Sequence, residues 1–170
     1  MIGKKMEKAL NGQLNAEMYS AYLYLSMAAY LESIDLSGFA NWMRVQFQEE
    51  QFHAMKLFNH LLERGGKVTL DAIGAPPTQW NDPLDAIEKT LKHEQLVTGL
   101  INDLVYLARD ERDNATEIYL QWYVNEQVEE EDNVNKILGQ LRLIKDSPHA
   151  LFIMDKDLSQ RVFTPPVKGE

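Results

Sequence analysis

Glycine and proline, the residues that most often interrupt helices, are confined to a few short stretches of this 170-residue chain. Between those stretches, apolar residues recur at steps of three and four, which is the period of an amphipathic helix. We therefore predict four long helices and a short fifth one. The expected ranges are about 4–33, 38–64, 83 onward, 114–143 and 148–160, followed by a tail over 161–170.

Three of the predicted helix starts carry capping signals. Asp82 stands before Pro83, an arrangement that suits an N-cap residue followed by the first helical position. Asn114 is predicted to begin the fourth helix, with Glu117 completing a capping pair. Ser147, which also precedes a proline, marks the start of the fifth helix.

The lengths of the connections predict how the helices pack. The first and third connections are short, so the first and second helices, and the third and fourth, are expected to pair antiparallel. Residues 67–82, extended at roughly 3.3 Å per residue, reach about 53 Å. A helix of about 27 residues spans about 40 Å, so this connection can run the length of a bundle. The expected fold is all-α: a four-helix bundle with one long crossover, forming a single domain over 1–170.

The composition excludes several classes of protein. The absence of Cys excludes a disulfide-stapled scaffold, a Cys-type zinc site and an iron–sulfur cluster. The 17 Lys+Arg and 26 Asp+Glu give a formal charge of −9, whereas a nucleic-acid surface needs clustered cations. The sequence contains neither a recognisable signal peptide nor a long apolar run. We expect a cytoplasmic protein without a nucleic-acid or membrane partner.

Polar residues interrupt the apolar stripe of each long helix close to its middle. Because mid-helix positions meet at one level of a bundle whichever way each helix points, these side chains are expected to converge in the core. The residues are Glu17, Glu50, His53, Glu94, Gln127 and Glu130. Adding 77 to 17, 50 and 53 gives 94, 127 and 130, so the two helical hairpins carry a similar pattern, in which Gln replaces Glu and Glu replaces His.

The four glutamates of this set would bury a charge of −4, and an uncompensated buried carboxylate costs several kcal/mol. No Lys or Arg falls on the four stripes near mid-helix. Two divalent cations would balance the charge, and a Glu and a His three residues apart can point at one ion. Mixed carboxylate and imidazole ligation suits iron or manganese. Two alternatives stay open: protonation or hydration of the acids without metal, and a stripe shifted by one residue that leaves the acids solvated.

Several longer motifs contain these residues and are spread over nearly the whole chain. They are Asn15-Ala16-Glu17, Tyr22-Leu23-Tyr24-Leu25, Phe39-Ala40-Asn41-Trp42-Met43, Glu49-Glu50-x-x-His53-Ala54, Glu63-Arg64-Gly65-Gly66, Pro76-Pro77 and Trp122-Tyr123-Val124-x-Glu126-Gln127-Val128-Glu129-Glu130-Glu131. Together they resemble the ferritins, and most closely the non-haem ferritins of bacteria and archaea. The resemblance implies a ferritin-like bundle with a short C-terminal helix.

The same resemblance implies a ligand set for two iron ions in each subunit. Glu17, Glu50 and His53 are expected to hold the first ion, with Glu50 bridging to the second. Glu94 and Glu130 are expected to join the bridge at the second ion.

Three further residues near this set have implied or ambiguous roles. Gln127 is expected to hydrogen-bond or weakly ligate near the second ion. Tyr24, at i+7 from Glu17, resembles a site tyrosine that supplies an electron during oxygen reduction, and the alternative is an ordinary core aromatic. Trp122 has the same two interpretations, and core packing is the favoured one.

Glu49, Glu126 and Glu129 lie beside the central stripe and not on it. The resemblance implies that they form, with Glu130, a third iron site that faces the interior of a shell. On spacing alone, the acids over 126–132 are typical of a solvated charge run.

Two positions separate this sequence from the haem-containing bacterioferritins. Those proteins place a haem-ligating Met directly after the bridging Glu, where this chain has Gln51, so we predict no haem. They also carry a second Glu-x-x-His where this chain has Gln127-x-x-Glu130. Both differences indicate the non-haem class.

The resemblance therefore implies an iron-storage ferritin with ferroxidase activity. Fe(II) would be oxidised by dioxygen or peroxide, and Fe(III) stored as a mineral inside a homo-oligomeric shell of 24 subunits. The alternative is a di-iron oxygenase or peroxidase on the same bundle, although such proteins usually keep both Glu-x-x-His motifs. The sequence assigns no role to His60, His93 or His149, and His93 is expected at the surface.

Overall fold

The computed structural model describes residues 1–144 and 147–165 and contains five helices within them. They are α1 (Lys4–Ser33), α2 (Ser37–Glu63), α3 (Pro83–Asp110), α4 (Asn114–Ile144) and α5 (Pro148–Leu158). The predicted all-α bundle with a short C-terminal helix is confirmed, and α5 ends two residues earlier than expected. The last part of the predicted tail, residues 166–170, lies outside the described residues. No helix in the described ranges is long and apolar enough to cross a membrane.

The long connection between α2 and α3 runs along α1, as a full-length crossover requires. Asn11 donates a hydrogen bond from its side chain to the carbonyl oxygen of Lys67 (2.9 Å), and its own side-chain oxygen accepts from the backbone N–H of Thr69 (2.7 Å). Nearer the other end of α1, the Ser26 hydroxyl donates to the carbonyl oxygen of Pro77 (2.7 Å). The crossover is therefore pinned at several heights on α1, and this brings α3 against α1.

Two of the predicted helix caps are present as expected. The Asp82 side chain accepts a hydrogen bond from the backbone N–H of Asp85 at 2.7 Å, and the Ser147 hydroxyl accepts from that of Ala150 at 3.3 Å. Each bond satisfies an N–H group that has no partner within the first turn of its helix.

The predicted capping pair at the start of α4 is wrong by one residue. Asn114 is the first residue of α4, and a capping side chain must come from the residue before it. Asp113 fills that role, because its carboxylate accepts from both the backbone N–H (3.2 Å) and the hydroxyl (2.7 Å) of Thr116. Glu117 instead pairs with Arg109 at 2.7 Å.

The core of the bundle consists of two apolar clusters with a polar layer between them. On α1, the first cluster begins at Leu23 and the second ends at Leu14. On α4, the first begins at Val134 and the second ends at Tyr123. The six predicted polar residues fall between these limits, at the middle of each helix. The two clusters therefore hold the helices together above and below a level where charged groups meet.

The short helix α5 docks against the start of α2 at a glycine. The Asp155 carboxylate accepts a hydrogen bond from the backbone N–H of Phe39 at 2.9 Å. A Cβ atom placed on Gly38 would lie 1.6 Å from the carbonyl oxygen of Asp155, far inside van der Waals contact. Only glycine permits this approach of α5 to α2.

Gly38→Ala should displace α5 from the bundle, because the added methyl group would clash with backbone that cannot rotate away. We expect faster hydrogen exchange over 148–158 and a lower unfolding temperature. Gly99→Ala is the matched control, since a Cβ at that position in α3 meets nothing within 4 Å. The control should be neutral, or stabilising by about 0.5–1 kcal/mol. Equal exchange over α5 in the two variants would contradict the predicted clash.

Candidate metal centre

The six polar side chains predicted at mid-helix are all buried at one level of the bundle. None exposes more than 5% of its surface, and Glu94 exposes none. The alternative in which these acids are solvated is therefore excluded for all four carboxylates. The members of this buried polar layer are Glu17, Glu50, His53, Glu94, Gln127 and Glu130.

The first group of ligand atoms joins α1 to α2. One ligand atom each from Glu17, Glu50 and His53 lies within 4.8 Å of the others. His53 Nδ1 is 3.3 Å from Glu50 Oε2, as expected for residues three apart on one helical face. Two carboxylates and an imidazole at this separation can share one metal ion.

The second group joins α2 to α4 and uses the same histidine. His53, Glu126 and Glu130 also offer ligand atoms within 4.8 Å of one another, and His53 Nε2 is 4.0 Å from Glu126 Oε1. The side chain of Glu126 is 26% exposed, so this group reaches the rim of the buried layer. The imidazole therefore lies between the acids of α1 and those of α4.

Glu94 belongs to neither three-residue group within the described part of the chain. Its carboxylate accepts a hydrogen bond from the Tyr24 hydroxyl and another from Gln127 Nε2 at 3.2 Å. Gln127 Nε2 also lies 3.2 Å from the backbone carbonyl oxygen of Glu94. The two donors turn this carboxylate toward α1 and α4 and hold it by hydrogen bonds.

Neutral amides each satisfy part of a buried carboxylate and leave other oxygens without a partner. Gln13 donates to Glu17 Oε1 at 2.9 Å, and Gln46 donates to Glu130 Oε2 at 2.8 Å. Among the described residues, Glu17 Oε2 and Glu50 Oε2 are buried with no hydrogen-bond partner. A buried oxygen without a partner is costly in free energy, and a cation bound between these two groups would remove that cost.

Burial changes the acid–base behaviour of the layer. Desolvation, followed by repulsion from Glu17, raises the pKa of Glu50 well above its usual range. Desolvation and repulsion from Glu130 raise the pKa of Glu94 to about 8. Desolvation lowers the pKa of His53, which favours the neutral imidazole that a metal ion requires. The metal-free layer thus holds protons that a bound cation would displace.

The residues predicted for a third iron site are only partly assembled at the edge of this layer. Glu126 and Glu130 lie together beside His53, whereas Glu129 is exposed. Glu49 is close enough to Glu126 and Glu130 for their repulsion to contribute to its pKa, which burial raises to about 7. Its carboxylate pairs with Arg161 at 2.7 Å.

Aromatic side chains enclose the histidine of the two groups. The Trp122 ring centroid is 5.4 Å from that of His53, and Lys56 Nζ lies over the Trp122 ring, 4.3 Å from its centroid. The Tyr123 hydroxyl donates to the carbonyl oxygen of His53 at 2.8 Å. Tyr24 is fully buried against Glu94, and desolvation raises the pKa of its hydroxyl.

The histidines without a predicted role occupy three different environments. His93, expected at the surface, is instead half-buried: its Nε2 lies 2.8 Å from the Ser20 hydroxyl, and its ring makes an edge contact with Tyr24. This burial lowers the pKa of His93 to about 4. His60 is buried and stacks on the Tyr119 ring at 3.6 Å. His149 is exposed near the start of α5.

Three residues that contact the site carried no predicted role. Gln13 precedes Glu17 by one helical turn, and this i, i+4 spacing is a signal that could have identified it. Gln46 lies on the apolar stripe of α2 but donates to Glu130 on α4, a contact that spacing within α2 does not indicate. Arg161 has no such signal, because it reaches α2 only through the docking of α5.

The contribution of Glu94 to the stability of the metal-free protein should be lost as the pH rises from about 4.5 to about 8. The pKa of Glu94 is 4.5 in its ordinary state and about 8 in the fold. Between these values the folded state binds more protons than the unfolded state, so raising the pH favours unfolding. Denaturant unfolding at about pH 5.5 and about pH 8 measures this difference.

Glu94→Gln removes this titration and should reduce the loss of stability between the two pH values. Glu88→Gln, which replaces an exposed acid on the same helix, should leave it unchanged. A divalent cation such as Zn²⁺ should stabilise the native protein more at the higher pH, because metal and protons compete for the same oxygens. An identical pH dependence in the native chain and both variants would contradict the prediction.

Comparisons with known proteins agree with this fold. The family model described as Ferritin-like domain matches residues 7–144. A bacterial non-heme ferritin of Bacteroides fragilis (strain 638R) is 41% identical over 161 residues, which cover 95% of this chain and 100% of the relative. One of Staphylococcus aureus (strain USA300) is 36% identical over 163 residues, which cover 96% of this chain and 98% of the relative.

Solved structures of an archaeal protein are similar over the same length. An open pore ferritin from Archaeoglobus fulgidus has a TM-score of 0.95 and 55% identity, covering 95% of this chain and all of that one. A closed form of the same ferritin, engineered by site-directed mutagenesis, has a TM-score of 0.96 and 55% identity, with coverage of 96% and 100%. The chain therefore belongs to the ferritin family.

Proposed function

We propose that iron storage by this ferritin-family chain begins with two Fe²⁺ ions bound in the buried polar layer. Glu17, Glu50 and His53 hold the first ion, and Glu50 bridges to the second, where Glu94 and Glu130 complete the site. Gln127 holds Glu94 by its hydrogen bond and so positions the second ligand set.

The uncompensated burial of four carboxylates is the observation that carries this proposal. Within residues 1–144 and 147–165, no Lys or Arg forms an ion pair with any of the four. Two divalent cations balance their charge and give partners to the unpaired oxygens of Glu17 and Glu50. Hard oxygen ligands also stabilise Fe³⁺ more than Fe²⁺, which favours oxidation at this position.

The reaction proposed for the site is ferroxidation. Each of two Fe²⁺ ions gives up one electron, and two electrons with two protons reduce dioxygen to hydrogen peroxide. The carboxylates hold both ions at the separation needed for one dioxygen molecule to receive both electrons. A third Fe²⁺ and Tyr24 are proposed to supply one electron each, which with two further protons reduce this peroxide to two molecules of water. The phenolic proton of Tyr24 passes to Glu94, whose carboxylate accepts its hydrogen bond.

Oxidised iron is proposed to leave the layer through a third site at its rim. Glu49, Glu126, Glu129 and Glu130 form this site, and Glu130 is shared with the central pair. The partial exposure of Glu126 and the exposure of Glu129 support a path from the buried layer to the outside of the bundle. The location of the protein in the cytoplasm stays a prediction.

Storage requires a cavity, which one bundle does not enclose. We propose that the chain assembles into a hollow shell of 24 copies, with α5 at contacts between copies. The helix carries Phe152 and Ile153 exposed by 67% and 48%, and an apolar surface of this kind favours burial against a neighbour. The formal charge of −9 per chain favours entry of cations into such a shell.

His53→Ala and Glu130→Ala should each slow aerobic oxidation of Fe²⁺ at least about a hundredfold, because each removes a proposed iron ligand from the buried polar layer. Stopped-flow absorbance after mixing Fe²⁺-loaded protein with oxygenated buffer measures the rate. Glu88→Gln is the control, since this exposed glutamate pairs with Arg142 on the surface. Fast oxidation in both ligand variants, with native folding, would overturn the site assignment.

The assembled protein should have a mass of about 470 kDa, which is 24 times the chain mass of 19.6 kDa. Light scattering coupled to size-exclusion chromatography, or native mass spectrometry, measures it directly. A monomer or dimer at micromolar concentration would contradict storage in a closed shell, and would leave the ferroxidase site to be judged on its own kinetics.

A further inference from the structure

The segment that follows α5 returns to the middle of α2, beside the candidate metal centre. Asn41 Nδ2 lies 3.3 Å from the carbonyl oxygens of Leu158 and Ser159 and 2.9 Å from that of Arg161. The ring of Phe163 packs against Phe52 at 6.4 Å between centroids. These contacts hold the backbone of the segment without using the side chain of Arg161.

The guanidinium of Arg161 is directed at two side chains one turn apart on α2. Nη2 donates to Glu49 Oε2 at 2.7 Å, and Nη1 donates to Gln46 Oε1 at 2.5 Å. The group also lies over the Trp42 ring, 4.8 Å from its centroid. Arginine suits this position because its planar fork can donate in two directions while it stacks on an aromatic face.

The contact with Gln46 extends the influence of Arg161 to a proposed iron ligand. Because Gln46 Oε1 accepts from the guanidinium, its amide nitrogen points the other way and donates to Glu130 Oε2 at 2.8 Å. A flipped amide would set its NH₂ group against the guanidinium and its oxygen against the carboxylate, and both contacts are unfavourable. Arg161 thus fixes Glu49 directly and Glu130 through one amide.

We infer that Arg161 is a positioning residue that stands in for a cation at the third iron site and weakens the binding of the third Fe²⁺ relative to the central two. The inference rests on the proposed third site. A divalent ion arriving at Glu49 must displace the guanidinium or share the carboxylate with it, and in both cases the fixed positive charge opposes binding. By contrast, the hydrogen bonds to Glu17, Glu94 and Glu130 come from neutral amide and hydroxyl donors.

A weakened third site suits transit of iron more than retention of iron. Ions at Glu49 and Glu130 would be released readily toward the storage cavity, whereas the central ions stay long enough to react. The competing interpretation is that Arg161 only fastens the C-terminal segment to α2. The two interpretations predict different results when the charge of Arg161 is removed. Attachment of the C-terminal segment alone would not alter the affinity of one class of metal site.

Anaerobic Fe²⁺ titration of the assembled protein, followed by calorimetry, tests the inference. Arg161→Gln should tighten the weakest of three binding classes by about tenfold, the size expected when one charge-assisted contact to Glu49 is removed. The two tighter classes should be unchanged. Arg161→Lys should restore the native affinity, because Lys keeps the charge beside Glu49. Arg44→Gln is the control, since Arg44 lies on α2, as Glu49 does, but pairs with exposed Glu32.

The double variant Glu49→Gln with Arg161→Gln identifies the site of action, because the gain from removing Arg161 should vanish when Glu49 carries no charge. Unchanged weak binding in Arg161→Gln, or an equal gain in Arg161→Lys, would overturn the inference while leaving three classes of site in place. If the native chain and every variant showed only two classes of Fe²⁺ binding, the third site itself would be overturned. Absence of the two tight classes of Fe²⁺ binding in the native chain would overturn the central site.

Hydrogen exchange over 159–163 should be unchanged in Arg161→Gln, because Asn41 holds that backbone.

Discussion

A layer of carboxylates buried at the middle of a four-helix bundle is the constraint on which the rest of this structure depends. Removing each charged group from water costs several kcal/mol, and the acids also repel one another. Two apolar clusters, one on each side of the layer, provide the burial that keeps the helices in place despite this cost. The same arrangement therefore holds the helices together and keeps the carboxylates in a position to bind cations.

The groups that orient the carboxylates are neutral, and this choice matters for function. Gln13, Gln46 and Gln127 each donate from an amide, and Tyr24 donates from a hydroxyl. Such donors fix a carboxylate without adding a positive charge that would repel a metal ion. A positive side chain, Arg161, is found at the rim, where it pairs with Glu49. The electrostatic difference between centre and rim separates the proposed site of oxidation from the proposed path of release.

The two helical hairpins share a spacing of residues but not the chemistry of their sites. His53 takes part in both groups of potential ligands, whereas Gln127, at the corresponding place of Glu50, donates to Glu94. One half of the layer thus offers an imidazole with unpaired carboxylate oxygens, and the other offers a carboxylate already held by hydrogen bonds. The two proposed ions therefore have unequal surroundings, which is a property of the substitutions between the two halves.

The sequence by itself determined the helices, the level at which they meet and the buried polar residues, because helical periodicity fixes which side chains share a face. The side-chain interactions across helices required the tertiary structure: Glu126 joins His53, while Glu94 turns to Tyr24 and Gln127. The cap at Asp113 and the arrival of Arg161 at Glu49 likewise depend on the folded chain. Local spacing does not indicate contacts between residues far apart in sequence. Such contacts form only when α5 and the helical hairpins pack together.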